Sequence, residues 1–170
     1  MKSLRPILFG AALAALVALL AGTAHALYGV HPIRGPVPTH FNLAGQADAW
    51  GSPQSLLVLP AMALGVFLLM TIVSRYPAVF NFPVRATPAN RAQLESIALE
   101  MIAWLRLEVV VIFALIQRAA ILSAEQGRNA LSGWLLPVCL VCVFGTIALH
   151  VVAMFRVRPR VVGKGPLSVL

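Results

Sequence analysis

An all-α membrane protein with four transmembrane helices in two hairpins is predicted by the apolar composition, the length of the apolar runs and the placement of the basic residues. The chain is 60% hydrophobic and only 11% charged over 170 residues, and its mean hydropathy is +0.90. A soluble domain of this length needs many more charges to cover its surface. Net charge is +8 and the isoelectric point about 11.1, which in a soluble chain would point to nucleic acid. Here the basic residues sit at the ends of apolar runs, where they set orientation in a lipid bilayer. The bilayer is therefore the expected partner, and nucleic acid is not.

Four apolar stretches reach the roughly 20 residues needed to span hydrocarbon: Ile7–Leu27, Ser55–Val73, Ile97–Leu122 and Gly133–Phe155. Each must be a helix, because an open strand leaves backbone groups unpaired in lipid. Lys2, Arg5 and the later Ala24-His25-Ala26 give the first stretch the look of a secretory signal. Its length favours a retained helix, while cleavage would leave three spans. The second and fourth stretches carry Pro60 and Pro137 in their early turns, where proline costs little; this shared placement is a weak hint of two related hairpins. Thr87 is placed to cap the third helix and Pro88 to open it. A helix from Pro88 to Leu122 would be about 50 Å long.

Charge orients the chain. Lys2 and Arg5, then Arg75, Arg85 and Arg91, then Arg156, Arg158, Arg160 and Lys164 fall on one side, against Arg34 and Arg128 on the other. By the positive-inside rule both termini are expected in the cytoplasm. Tyr28, Trp50 and Trp134 would then mark the outer interface, and Tyr76, Phe80, Phe82 and Phe155 the inner one. The expected organisation is a transmembrane domain over 1–155, with an outer loop at 29–54 and a cytoplasmic connection at 74–96, followed by a basic cytoplasmic tail at 156–170.

The outer loop is the most informative stretch. Prolines stiffen its first half, and Asn42, Gly45 and Gly51 supply turn positions, so an ordered cap is expected rather than a slack linker. His40, Asn42, Gly45 and Asp48 are its candidate ligand or partner residues. Two readings stand beside that one: the polar side chains bond the loop's own backbone, or His31 joins them around a metal. The spacing matches no standard metal motif, so no metal is expected.

Pro36-Val37-Pro38-Thr39-His40-Phe41-Asn42-Leu43-Ala44-Gly45-Gln46-Ala47-Asp48-Ala49-Trp50-Gly51 resembles the P-x-H-(F/W)-N-x-x-G-x-x-D signature of a bacterial membrane domain of unknown function. That domain forms the N-terminal part of SdpI-type immunity proteins. Tyr76-Pro77, Asn81-Phe82-Pro83-Val84 and Pro88-Ala89-Asn90-Arg91 are similar to the family's cytoplasmic connection, so the resemblance runs from Ile7 to Ile116. It implies a multi-pass protein of the bacterial cytoplasmic (inner) membrane. In SdpI-type members it further implies immunity to a secreted toxin and signalling by sequestration of a repressor.

The third stretch holds Glu100, Arg106 and Glu108 among apolar residues. Each such charge costs at least about 2.5 kcal/mol on insertion scales, so each is expected to face protein or water. With His150 they form the candidate intramembrane polar network. Counting depth along the helices puts Glu100 near His150 and Arg106 near Thr146, the latter pair about 14 Å from the inner end. Glu108 has no partner by this count, and water or a partner chain is expected there. Because Arg106 and Glu108 point to opposite sides, the helix should be central, with protein on both faces. Replacing Arg106 with leucine is expected to lower the amount of folded protein by stranding its partners. Cys139 and Cys142, one turn apart in an apolar run, read as packing residues between helices rather than a redox or metal pair.

No nucleophile elbow, phosphate loop, HExxH or zinc-ribbon spacing occurs, and no cofactor is expected. The expected function is interaction rather than catalysis, with a membrane-protein partner or a second copy of the chain. Two alternatives stay open: an accessory subunit of a larger membrane complex, and a small transporter or membrane enzyme using the charged third helix.

Overall fold

The computed structural model describes residues 3–127 and 131–157. Arg128 and most of the basic tail, including Arg158, Arg160 and Lys164, lie outside the described residues, as does Lys2. Helix α1 runs Arg5–Tyr28, strands β1 and β2 are Val37–Phe41 and Ala47–Gly51, and a 3-10 segment Pro53–Leu57 leads into α2, Val58–Val73. After a short 3-10 turn at Pro77–Val79 come α3, Arg91–Gln126, and α4, Leu135–Phe155.

Three of these elements are long and apolar enough to cross a membrane: Arg5–Tyr28, Pro53–Val73 and Leu135–Phe155. Helix α3 is different. Its 36 residues make it about 54 Å long, and Arg91, Glu95, Glu100, Arg106, Glu108, Arg118 and Glu125 break its apolar surface. It starts at Arg91, later than the Thr87 cap would have it. Thr87 and Asn90 instead close a turn ahead of the helix, in which the Asn90 carboxamide oxygen accepts from the Thr87 N–H at 2.7 Å. The C-terminus is set by Gly127 at φ 63°, the left-handed position at which helices commonly stop.

The all-α expectation needs one amendment, because the loop between α1 and α2 contains a two-stranded antiparallel sheet. Val37 pairs with Gly51, Pro38 with Trp50, His40 with Ala49 and Phe41 with Ala47, with irregularities on either side of His40. The signal was present in the sequence as two short runs joined by a glycine-containing turn.

Packing makes α3 the centre of the molecule. Helices α1, α2 and α4 all pack against it, and α4 packs chiefly there. Three apolar clusters stack along its length. Ala12, Leu16, Leu19, Ala63, Phe67 and Val110 fill the middle. Ala26, Val37, Leu56 and Ala120 lie beneath the hairpin. Leu94, Ala98, Met154 and Val157 close the other end. Alanines at these contacts let helix backbones approach closely, which is how membrane helices gain contact without a solvent-driven term. Phe80 and Phe82 pack against the last cluster rather than forming an exposed belt, whereas Tyr28, Trp50, Trp134, Tyr76 and Phe155 are exposed.

Candidate functional site

Asn42 builds the hairpin turn. Its side-chain oxygen accepts from the N–H groups of Ala44 and Gln46, each at 3.0 Å, the local bonding that makes asparagine a turn residue. Gly45 completes the turn at φ 77°, and its N–H donates to the Asn42 carbonyl at 2.9 Å. Across the strands His40 Nδ1 donates to Asp48 Oδ1 at 2.5 Å, both side chains being largely solvent-exposed. The hairpin tip rests on the segment before α4: a Cβ at Gly45 would lie 2.6 Å from the Leu131 carbonyl oxygen. That contact joins the loop between α1 and α2 to the loop between α3 and α4.

Beneath the hairpin, α2, α3 and the start of α4 enclose a groove of about 390 Å³. Its walls are apolar, with Leu59, Ile112, Ile116 and Leu136 among them; His40 and Asn42 stand at its rim and Cys139 on the α4 side. The groove exists because α4 leans on α3 and leaves a gap toward α2. Gly45 and Asp48 do not line it; they shape the hairpin that roofs it. No cluster of three or more His, Cys, Asp or Glu side chains occurs among the described residues, so His31 is not gathered with His40 and Asp48 around a metal.

At the floor of the groove lies Gln117, only 2% exposed. Its Nε2 donates to Thr23 Oγ1 at 2.9 Å and to the Leu56 carbonyl at 2.8 Å, tying α3 to α1 and to the entry of α2. The Leu56 carbonyl needs that donor because the residue four positions on is Pro60, which has no N–H. Helical periodicity puts Gln117 on the Arg106 side of the third helix without naming its partner, and the proline four residues after Leu56 is the clue to it. Gln117→Leu should cost about 1–3 kcal/mol by stranding this carbonyl, and adding Pro60→Ala should return part of the loss. Thermal unfolding in detergent measures both; a Gln117→Leu protein as stable as the parent would show that the carbonyl is satisfied otherwise.

The four charged or titratable residues expected to form one network separate instead. Arg106, 5% exposed, faces α1 and α2: Nη1 donates to Thr71 Oγ1 at 3.3 Å, and the guanidinium carbon lies 4.7 Å and 5.5 Å from the Phe9 and Phe67 ring centres, within cation–π range. Glu108, on the opposite side, accepts from Thr146 Oγ1 at 2.5 Å. Thr146 thus serves Glu108 and not Arg106. His150 Nδ1 donates to the Thr146 carbonyl at 2.8 Å on its own helix, and no bond or ion pair joins it to Glu100. Counting from Ile97 had put Arg106 deep in the bundle. Its neighbours Phe9 and Thr71 show it within about one turn of the start of α1 and of the end of α2, because α3 runs well past those ends.

A model of a domain of unknown function, DUF1648, matches residues 8–64. The matched domain covers α1, the hairpin and the first part of α2, and ends before the segment 76–91 and all of α3 and α4. An uncharacterized protein of Archaeoglobus fulgidus is similar, at 40% identity over 55 residues. That alignment takes in 28% of this chain and 30% of the archaeal protein, so the chain spans about a third of this relative's length. No solved structure matches the chain.

Proposed function

We propose that this chain is a four-span protein of the bacterial cytoplasmic membrane that acts by binding, in the manner of SdpI-type immunity and signalling proteins, and that the groove under the hairpin is where it binds. The observation that carries this reading is the groove: an apolar hollow of about 390 Å³ with a polar rim, roofed by the hairpin that contains the His40-Phe41-Asn42 signature. A volume of that order holds a few apolar side chains or a small ligand, and its polar rim suits the amphipathic surface of a membrane-active peptide. In this reading α3 also crosses the membrane, giving two hairpins α1–α2 and α3–α4, and the basic asymmetry argues for the strand hairpin outside and both termini inside. The seating of Ala12, Leu16 and Leu19 in the central cluster supports retention of α1. Binding is favoured over transport because Arg106 and Glu108 open to opposite sides of α3 and do not line a common path.

Two measurements test it. In a chain lacking Cys139 and Cys142, a cysteine at Gln46 should react with an impermeant maleimide on right-side-out vesicles, and one at Ala89 only after permeabilisation. Reversed labelling would put the hairpin inside and end the immunity reading. Leu136→Trp, which fills the groove from α4, should abolish the protection that the intact chain gives a sensitive host against added membrane-active helical peptides. Protection by the intact chain that survives this change would move the binding site elsewhere, and absence of any protection would remove the immunity role.

A further inference from the structure

At the opposite end of the bundle from the hairpin lies a second groove, of about 450 Å³, formed by the start of α1, the end of α2 and the first half of α3. Arg5, Arg75 and Arg106 line it together with the hydroxyl residues Ser3, Thr71 and Ser74, and no acidic residue is among its lining. Arg106 is nearly wholly buried, yet its Nε has no hydrogen-bond partner and no carboxylate pairs with its charge; among the described residues the ion pairs are His40–Asp48 and Arg91–Glu95. The Phe9 and Phe67 rings attract the guanidinium but accept no hydrogen bond in its plane. A buried guanidinium without an anion is a costly arrangement, and here two further arginines add positive charge to the same hollow.

We propose that this groove binds an anionic phosphate group. Guanidinium forks and hydroxyls are the groups that recognise phosphate oxygens. Arg106 supplies a fixed positive charge from the inner wall, and Arg5 and Arg75 add two more along the same lining. The depth fits: Phe9 lies four residues and Thr71 two residues inside the ends of their helices, about 6 Å and 3 Å in, within reach of a phospholipid headgroup. Free phosphate carries the same chemistry, and the experiment separates the two. The inference is independent of the outer groove and of its ligand.

The full chain, purified in neutral detergent, is examined by native mass spectrometry for retained phosphatidylglycerol and by thermal shift with inorganic phosphate. The wild type should keep one phosphatidylglycerol through washes that remove phosphatidylcholine, or else show a saturable shift with phosphate alone, which would name the free anion as the ligand. Arg106→Met keeps the apolar stem between the rings and should weaken retention or the phosphate midpoint at least tenfold; Arg75→Gln should weaken it severalfold. Arg85→Gln, an exposed charge outside the groove, should leave it unchanged. Folding of Arg106→Met should be unimpaired, which revises the loss expected from the sequence on removing this charge: the Thr71 hydroxyl already donates to the Phe67 carbonyl at 2.7 Å, so no partner is stranded. If that variant does not fold, Arg75→Gln against Arg85→Gln carries the test. No binding of either ligand, or equal losses in the groove and control variants, would overturn the proposal.

Discussion

Valine at Gly45 should lift the hairpin tip off the α3–α4 loop, while alanine at Leu43, two residues away, should change almost nothing. Gly45 sits at φ 77°, a region that costs an L-residue roughly 1–2 kcal/mol and a β-branched one more. Its Cβ would also stand 2.6 Å from the Leu131 carbonyl oxygen and 2.9 Å from the Gly133 nitrogen. Both are backbone atoms, which cannot swing away as a side-chain tip can. The combined penalty should exceed about 2 kcal/mol, and the cheapest relief is for the hairpin tip to lift off residues 131–133. Leu43 is 83% exposed, so its truncation should stay within about 0.5 kcal/mol. Thermal unfolding in detergent measures the difference, and faster alkylation of Cys139, which lines the groove below, reports the opened roof. Equal stability of the two variants would mean that the hairpin does not rest on the α3–α4 loop.

The second large effect is expected at mid-height of α4. That helix is held near its start by the hairpin tip, near its end by Met154, and between them by the Thr146–Glu108 bond. Glu108 Oε2 is buried without a hydrogen-bond partner, so Oε1 carries the bond that satisfies this carboxyl group. Thr146→Val removes that donor and should cost about 1.5–3 kcal/mol, the range for hydrogen bonds to charged groups. Glu108→Gln keeps an acceptor for the hydroxyl and should cost less. The double variant Glu108→Leu/Thr146→Val should regain much of the loss, since an apolar pair leaves nothing stranded. His150 is unaffected, because it bonds the Thr146 backbone carbonyl. A thermodynamic cycle over the two sites that shows no coupling would disprove the contact.

Before any folding, the residues already specify where helices lie. Apolar runs long enough to span hydrocarbon, glycines and prolines at their ends, and basic residues between them are local features. The observed Arg5–Tyr28, Val58–Val73 and Leu135–Phe155 follow the apolar runs within a few residues. The turn chemistry of Asn42 and Gly45 is equally local: an asparagine that bonds its own backbone and a glycine that alone tolerates positive φ. Which polar group meets which is not local. Arg106 against Phe9 and Thr71, Glu108 against Thr146, and Gln117 against Leu56 join residues 35 to 97 positions apart. Each pairing depends on the relative rotation and vertical offset of two helices. An offset of one turn, about 5 Å, sends Thr146 to a different partner, which is why depth counting along isolated helices paired it with Arg106. The two grooves are decided at the same level. Side chains that are merely apolar or merely basic in the sequence line a cavity only because α4 leans on α3 away from α2, and because α3 outruns the ends of α1 and α2.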